Sequence, residues 1–304
     1  MINRVKSLVR HAQCFPPRLG ASLGIYDPGT WPVNFIVEKA NWSIHWDGRS
    51  ITDQVNALAP ATAQIYDEPR RLVNRVVHFG SQYMWASWGP HMSSSNRYAV
   101  TCFHGKPEDG PAAARNLEQV LQSLPRLDFV ITAAKLMEQR LLAWGVPREK
   151  LVRIPIGVDT RAFRPATPSE RQAFRQKLGI ADDCFCVGSF QKDGLGWGDG
   201  LEPKLIKGPD IFLKTIDILR RERPVHVLLT GPARGYVKQG LERMGVPYTH
   251  NFLEHFSDLA QYYHALDVYL VTSREEGGGQ RPLRNQWLRA FLSSRQKWAW
   301  HRTL

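Results

Sequence analysis

Residues 225–245 read VHVLLTGPARGYVKQGLERMG, an apolar run that ends at Gly231 and is followed by a stretch with helical spacing. A strand, a turn and a helix in this order are the repeating unit of a parallel sheet with helices on both faces. Similar units flank it, because residues 184–190 precede the amphipathic stretch 209–222, and residues 259–273 form a later apolar run. The second half of the chain therefore predicts a doubly wound α/β domain.

The first half shows the same alternation. Its short β-rich runs are residues 34–40, AQIYDE, NRVVHFGS, RYAVTCFHG and residues 128–134, and the helical stretch AARNLEQVLQSL lies among them. Residues 150–165, KLVRIPIGVDTRAFRP, are interrupted by proline and glycine and predict a connection. We therefore expect an α/β fold with two Rossmann-like doubly wound domains, residues 1–154 and 155–278. Ligands bind beyond the carboxyl ends of strands in such sheets, so a cleft between the domains is the expected site.

The composition is that of a globular protein. The 304 residues are 43% hydrophobic and 22% charged, which excludes a disordered chain, a collagen-like repeat and a coiled coil. Four cysteines are too few for a disulfide framework, and Cys184 and Cys186 alternate as strand residues do, so we expect no metal site. No apolar run is long enough for a membrane span, and the basic N-terminal stretch lacks the apolar core of a secretory signal. These features predict a cytoplasmic protein, and they do not exclude peripheral contact with a membrane.

The charge of the chain is unevenly distributed. The formal net charge is +12, and residues 279–304 contain six basic residues and no acidic one. They also contain three of the ten tryptophans. A basic tail of this kind is typical of proteins that bind nucleic acid or anionic lipid. A non-enzymatic basic protein that binds nucleic acid or an anionic membrane is therefore the alternative to an enzyme.

Four segments resemble the retaining glycosyltransferases of family 4, which have two Rossmann-like domains in the arrangement called GT-B. They are VRIPIGVDTRAFRP, VGSFQKD with the later KLIKGPDIFLKTI, YYHALDVYLVTSREEGG, and TCFHGK after a first-domain strand. The resemblance covers roughly residues 100–278 and is strongest in the second half. It implies transfer of a sugar from a nucleotide-sugar donor to an acceptor hydroxyl, with retention at the anomeric carbon. The acceptor would be a glycan or a lipid-linked molecule, and neither a cofactor, a metal nor a nucleic acid is expected.

The leaving group of such a donor is a diphosphate, which requires fixed cations and backbone amides. Lys207 and Gly208 open a predicted helix, so the ammonium group would lie beside the helix N-terminus. Lys192 and Lys204 are both candidates for the position where the family usually has arginine, and solvated surface lysines are the alternative interpretation. The insert GLGWGDG, residues 194–200, predicts a long and mobile loop between them.

Residues at two further strand ends are candidates for binding the rest of the donor. Thr230 and Gly231 end a strand and are expected to face the base or ribose. Two carboxylates that could accept hydrogen bonds from sugar hydroxyls precede glycines whose amides could approach the ligand closely. These four residues are Glu275, Glu276, Gly277 and Gly278, with Glu276 assigned a catalytic role by the resemblance. The alternative is that the two acids complement a helix dipole.

The first domain offers two more candidates. His104 follows an apolar strand and precedes Gly105, so we expect it to point into the cleft and to act at the reacting sugar; a structural histidine is the alternative. Trp46, Asp47 and Gly48 follow the first strand and are weaker candidates for the acceptor side.

The tail departs from the family motif, whose second glutamate is expected seven residues after the first. The codons that could encode Gln280 to Leu304 can be read in a second frame, which combines the third base of each codon with the first two bases of the next. With permitted codon choices, this frame encodes KAFAESMASGVPLVSTKVGMAPDL. This peptide resembles the family segment that should follow. We therefore expect residues 279–304 to be an out-of-frame tail, the second domain to be incomplete, and transfer by this chain to be impaired. The frame change would also explain the basic tail without a nucleic-acid partner.

Overall fold

The computed structural model describes residues 2–23, 25, 31–38, 43–196, 198–253, 255 and 258–275. The chain forms two compact units that divide between Ile156 and Gly157, inside the connection that the sequence predicts. Each unit has its own parallel sheet and its own buried core. The acceptor and donor roles that we assign to these units stay predictions.

The first unit contains a six-stranded parallel sheet in the order β2-β1-β3-β4-β5-β6. Its strands are β1 (Val33–Ile36), β2 (Ala63–Tyr66), β3 (Val76–Phe79), β4 (Arg97–Thr101), β5 (Phe129–Thr132) and β6 (Leu151–Arg153). Its helices are α1 (Ile2–Ser22), α2 (Ser43–Leu58), α3 (Gln82–Trp88), α4 (Pro111–Gln122) and α5 (Lys135–Ala143). β2 lies on one side of β1 and β3 lies on the other, so the chain winds outward from β1 in both directions, which is the doubly wound pattern.

Aromatic contacts anchor α3 under this sheet. The side chain of Ser81 accepts a hydrogen bond from the backbone N–H of Tyr83 and caps the helix. Trp85 is fully buried, and its ring lies edge-on to the rings of Phe79 and Tyr98, with both centroid distances 5.3 Å. This arrangement fixes the segment that follows β3 at the carboxyl edge of the sheet.

The second unit contains a four-stranded parallel sheet in the order β10-β7-β8-β9 among its described residues. Its strands are β7 (Phe185–Phe190), β8 (Val225–Thr230), β9 (Tyr248–Asn251) and β10 (Val268–Tyr269). Its helices are α6 (Pro168–Lys177), α7 (Pro209–Leu219), α8 (Gly235–Met244) and α9 (Leu259–His264). Alternate strand residues enter two different cores, because Cys186 and Leu228 pack with α9 whereas Val187 and Val227 pack with α7 and α8. Helices therefore cover both faces of this sheet.

Asp267 attaches β10 to the rest of this unit. Its carboxylate forms ion pairs with Arg171 (2.7 Å) and Arg175 (3.4 Å) of α6, and it accepts a hydrogen bond from the backbone N–H of Cys186 (2.8 Å). One side chain thus joins α6, β7 and the start of β10.

The structure differs from the sequence prediction in several elements. The segment predicted as a connection from residue 150 begins with β6, which completes the first sheet. Helices α1, α2, α3, α5 and α6 and the strand β9 were not individually predicted. None of the described helices has the length and apolar character needed to cross a bilayer.

Candidate functional site

The strand order of the second sheet locates a crevice. The chain continues from β7 through β8 to β9 on one side and returns to the other side of β7 to form β10. The strand order therefore reverses between β7 and β10, and open α/β sheets bind ligands at such a reversal, beyond the carboxyl ends of the strands. In this unit the point lies where Gln191 follows β7 and residues 270–275 follow β10. The start of α7 meets both segments there.

Gly208 is the residue at which α7 meets the segment after β10. Its φ of +62° is in the left-handed region, at the junction of the 3₁₀ turn Leu205–Lys207 and α7. A Cβ atom at this position would lie 1.9 Å from the carbonyl oxygen of Thr272, so only glycine fits without displacement of the backbone. The N-terminus of α7 is thus in direct contact with the strand end of β10.

The backbone carbonyl group of Lys207 is held by side chains that follow two different strands. The oxygen accepts hydrogen bonds from Gln191 Nε2 at 3.2 Å and from Thr272 Oγ1 at 3.4 Å. Gln191 follows β7 and Thr272 follows β10, so the donors come from the two strands that flank the crevice. The half-buried Lys207 therefore has a fixed backbone position at the crevice.

Arg274 connects the last described residues to α7. Its guanidinium group forms a two-pronged ion pair with Asp210 at 2.9 and 2.7 Å, and its backbone N–H donates to Ile206 O at 2.9 Å. The hydrogen bond from Arg274 lowers the pKa of Asp210. Glu275, the next residue, is half-buried and is held beside the same turn. Glu276, Gly277, Gly278 and the predicted tail lie outside the described residues.

A buried ion pair supports the end of β7, and the sequence analysis did not identify it. Arg234 Nη2 lies 3.2 Å from Asp193 Oδ2, and both side chains are completely inaccessible to solvent. The guanidinium group also donates to the carbonyl oxygen of Gln191 and, at 3.0 Å, to Ser189 Oγ. Arg234 thus holds the backbone carbonyl group of Gln191, whose side-chain amide donates to Lys207 O at the crevice.

The end of the insert at residues 194–200 is anchored on α8 by Asp199 and Gly200, although the sequence predicts a mobile loop. The carbonyl groups of Asp199 and Gly200 accept hydrogen bonds from the N–H groups of Gly235 (2.7 Å) and Tyr236 (2.9 Å). Close backbone contact requires glycine, since a Cβ atom on Gly235 would lie 2.6 Å from Asp199 O. These first donors of α8 are therefore engaged by the protein itself, whereas α7 begins at the crevice.

The other residues predicted to bind the nucleotide-sugar lie on the same edge of the sheet. The backbone N–H of Lys204 donates to Asp193 O at 2.7 Å, which brings Lys204 next to the segment that carries Lys192. Thr230 is buried at the end of β8, and Gly231 has a φ of +91° and accepts a hydrogen bond from His250 Nε2 at 2.8 Å. Their contacts with a donor stay predictions.

The candidate site residues of the first unit lie in a loop and in a helix. His104 is exposed in the bend after β4, its carbonyl oxygen accepts a hydrogen bond from Gln82 Nε2 at 2.9 Å, and its ring centroid lies 6.1 Å from that of Tyr83. Asp47 and Gly48 lie in the first turns of α2. Gly48 is buried against β1, where a Cβ atom would lie 2.6 Å from Phe35 Cδ1. Close packing of α2 on the sheet therefore accounts for this glycine, and an acceptor role for Asp47 stays a prediction.

The described residues contain no group of three or more histidine, cysteine, aspartate or glutamate side chains that could hold a metal ion.

No model of a known protein family matches the chain. A GDP-mannose-dependent monoacylated alpha-(1-6)-phosphatidylinositol monomannoside mannosyltransferase of Corynebacterium glutamicum is 29% identical over 131 residues, which are 41% of this chain and 31% of the relative. A D-inositol 3-phosphate glycosyltransferase of Geodermatophilus obscurus is 31% identical over 180 residues, or 53% of this chain and 36% of the relative. The chain thus spans only about a third of the length of these curated relatives.

Solved structures show the same fold. Anabaena Alr3699/HepE in complex with UDP and glucose has a TM-score of 0.65 at 16% identity, over 85% of this chain and 79% of that one. Sucrose-phosphate synthase from Thermosynechococcus elongatus has a TM-score of 0.64 at 14% identity, with the same coverage. At this level of identity the likeness concerns the fold alone. It confirms the predicted α/β class, with Rossmann-like parallel sheets of the GT-B type.

Proposed function

We propose that this chain is a glycosyltransferase that binds a nucleotide-sugar donor at the switch point of its second sheet. It would transfer the sugar to an acceptor hydroxyl with retention, as the family resemblance implies. The proposal rests on one observation: Lys207 and Gly208 are held between the carboxyl ends of β7 and β10, at the start of α7. The relatives named as glycosyltransferases and the UDP in the Anabaena structure support it.

The diphosphate of the donor would lie at the start of α7. A lysine ammonium group and the N-terminal end of a helix both stabilise negative charge, and here they occur at adjacent residues. Lys207 would therefore neutralise the leaving group, with Lys192 or Lys204 as the second cation. Glu275 would accept hydrogen bonds from the sugar hydroxyls, because Arg274 holds this part of the chain against α7.

The remaining roles follow the sequence prediction. Thr230 and Gly231 would face the base or ribose. His104 would act at the reacting sugar from the first unit, together with Glu276, while Gly277 and Gly278 would supply amides. No cofactor takes part in this proposal, since the nucleotide-sugar is itself a substrate.

The acceptor is proposed to be a polyol, either free or linked to a lipid. The two relatives are named for an inositol phosphate and for a mannosylated phosphatidylinositol, and both acceptors carry ring hydroxyls. A lipid-linked acceptor would require contact with a membrane surface.

Calorimetric titration with UDP-glucose and GDP-mannose tests the donor site. It is best done on the chain whose residues 279–304 are replaced by the shifted-frame peptide and its continuation. Lys207→Ala should weaken binding by about 1.5–3 kcal/mol, as expected when a hydrogen bond to a charged group is lost. Lys214→Ala is the matched control, because Lys214 is exposed on α7 beyond its first turn. Equal affinity of Lys207→Ala and the parent chain would contradict the proposal.

A further inference from the structure

The N-terminal helix α1 carries an exposed apolar stripe. Leu8, Phe15 and Leu19 are 70%, 58% and 48% exposed. Their spacing of seven and four residues places them on one face of the helix. Beyond the end of the helix, Leu23 (64% exposed) and Ile25 (79% exposed) continue the apolar surface. Exposed apolar residues that follow a helical stripe indicate a contact surface rather than scattered surface residues.

The opposite face of α1 is attached to the first unit. Cys14 is fully buried, and Arg10 Nη1 donates a hydrogen bond to Ser87 O at 2.8 Å. The guanidinium group of Arg10 also lies 5.6 Å from the ring centroid of Trp88. Arg10 and Cys14 are four residues apart and share a face. Their contacts hold α1 in one orientation, with the apolar stripe turned away from the unit.

The composition of this segment indicates which surface the stripe would meet. Helix α1 contains Arg4, Lys6, Arg10 and Arg18, and the first acidic residue of the chain is Asp27. Apolar residues on one face, several basic residues and no acidic ones are typical of helices that lie in the interface of an anionic bilayer.

We propose that α1 docks the first unit on an anionic lipid surface, with Leu8, Phe15 and Leu19 at the boundary between headgroups and acyl chains. The net positive charge of the helix would attract it to the negative potential of such a surface. The inference deepens the proposed function, since it would bring the enzyme to a surface that carries lipid-linked acceptors. Docking requires no donor, so it can be tested independently of sugar transfer.

The test is flotation of the full chain with vesicles of phosphatidylcholine alone or with about 30% phosphatidylserine, a range in which polybasic segments respond to surface charge. We expect binding to the anionic vesicles to exceed binding to the neutral ones at least tenfold, and to fall as salt is raised because exposed charges are screened. Phe15→Ser with Leu19→Ser should weaken anionic binding at least tenfold. The double variant Leu58→Ser with Ile218→Ser is the matched control, since both residues are exposed on other helices.

Hydrogen exchange assigns the binding to α1 rather than to the basic tail. Amides of residues 8–23 should exchange more slowly when anionic vesicles are added. Protection confined to residues 279–304, or unchanged vesicle binding by Phe15→Ser with Leu19→Ser, would overturn the proposal. So would a dimer in size-exclusion chromatography that this variant converts to a monomer, because a second copy of the chain would then cover the stripe. Nucleotide-sugar affinity, measured separately, reports on the proposed function.

Discussion

At the scale of single residues, the same polar pair occurs in both sheets. His78 of β3 shares a hydrogen bond with Thr101 of the neighbouring strand at 2.7 Å, and His226 of β8 shares one with Thr249 at 2.9 Å. Burial lowers the pKa of His78 to about 4 and also lowers the pKa of His226. Both imidazoles are therefore neutral at physiological pH, and each forms a hydrogen bond with a threonine hydroxyl group on the neighbouring strand.

The pKa of His78 predicts a loss of stability in acid. Its value in the folded protein is about 4, below the ordinary value of 6.5, so the unfolded chain binds more protons between these pH values. The stabilisation is complete above pH 6.5 and is lost as pH falls toward 4, by up to about 3 kcal/mol. His78→Gln should flatten the pH dependence of urea unfolding between pH 7.5 and 5, followed by tryptophan fluorescence. Identical pH profiles for the two proteins would contradict this role.

Gly208 and Gly179 provide a test of the contact at the crevice. Both have a left-handed φ, +62° and +67°, but a Cβ atom at Gly179 would have no neighbour within 4 Å. Alanine at Gly179 should cost only the backbone strain, about 1 kcal/mol. Gly208→Ala should cost at least about 2 kcal/mol more, because it must also displace the Thr272 backbone. Urea unfolding measures both, and equal losses would mean that this contact relaxes freely.

At the scale of elements, strands with apolar alternation were predictable and weakly patterned elements were not. β8 is buried along its whole length and was evident from VHVLLT. β6 has three residues, and β9 reads YTHN without buried positions, so neither shows a period of two. α1 contains Pro16 and Pro17, which argue against a helix, and α6 is mostly charged. Tertiary packing overrides local preference in these segments.

Residues of the candidate site could be predicted only where a motif marks them. Lys207, Gly208 and Glu275 could be selected from residue type and position at strand and helix ends. Gln191 and Arg234 could not, because their contacts connect residues 16 and 43 positions apart. Such supporting contacts depend on sheet order, which the local pattern does not contain.

Loss of the buried pair of Arg234 and Asp193 should destabilise the protein more than loss of the exposed ion pairs among the described residues. Arg234→Met leaves a carboxylate in a site with no solvent access and should cost about 3–5 kcal/mol in urea unfolding. Arg234→Met with Asp193→Leu should recover much of this loss, because no charge then stays buried. For comparison, Arg97→Met removes a pair in which the Arg97 side chain is 70% exposed, and should cost less than about 1 kcal/mol. A similar loss for both single variants would contradict the buried-charge argument.

At the scale of the whole molecule, the two units have separate cores and carry different parts of the proposed function. The first unit carries α1 and His104, and the second carries the donor candidates around Lys207. Residues 279–304 contribute six positive charges and no negative ones, so the frame change would account for half of the formal net charge of +12.

The frame change is tested most directly on the gene. We expect a single slip in the codons near Gly277 to Gly279, after which the other frame encodes KAFAESMASGVPLVSTKVGMAPDL. Restoring that frame should give measurable donor binding and sugar transfer, and deleting residues 279–304 from the present chain should not reduce donor affinity. A fully active present chain that loses activity on this deletion would contradict the frame change.

The position of Asp267 has a consequence for the order of folding. β7, β8 and β9 can pair successively as the chain lengthens, but Asp267 must reach Cys186 and Arg171, which are 81 and 96 residues earlier. Closing so long a loop is slow, because its entropy is lost before the contacts form. β10 is therefore expected to dock last, and the crevice beside Gly208 and Thr272 does not exist before that step. A nascent chain would complete its first unit and most of the second sheet before it could hold a ligand.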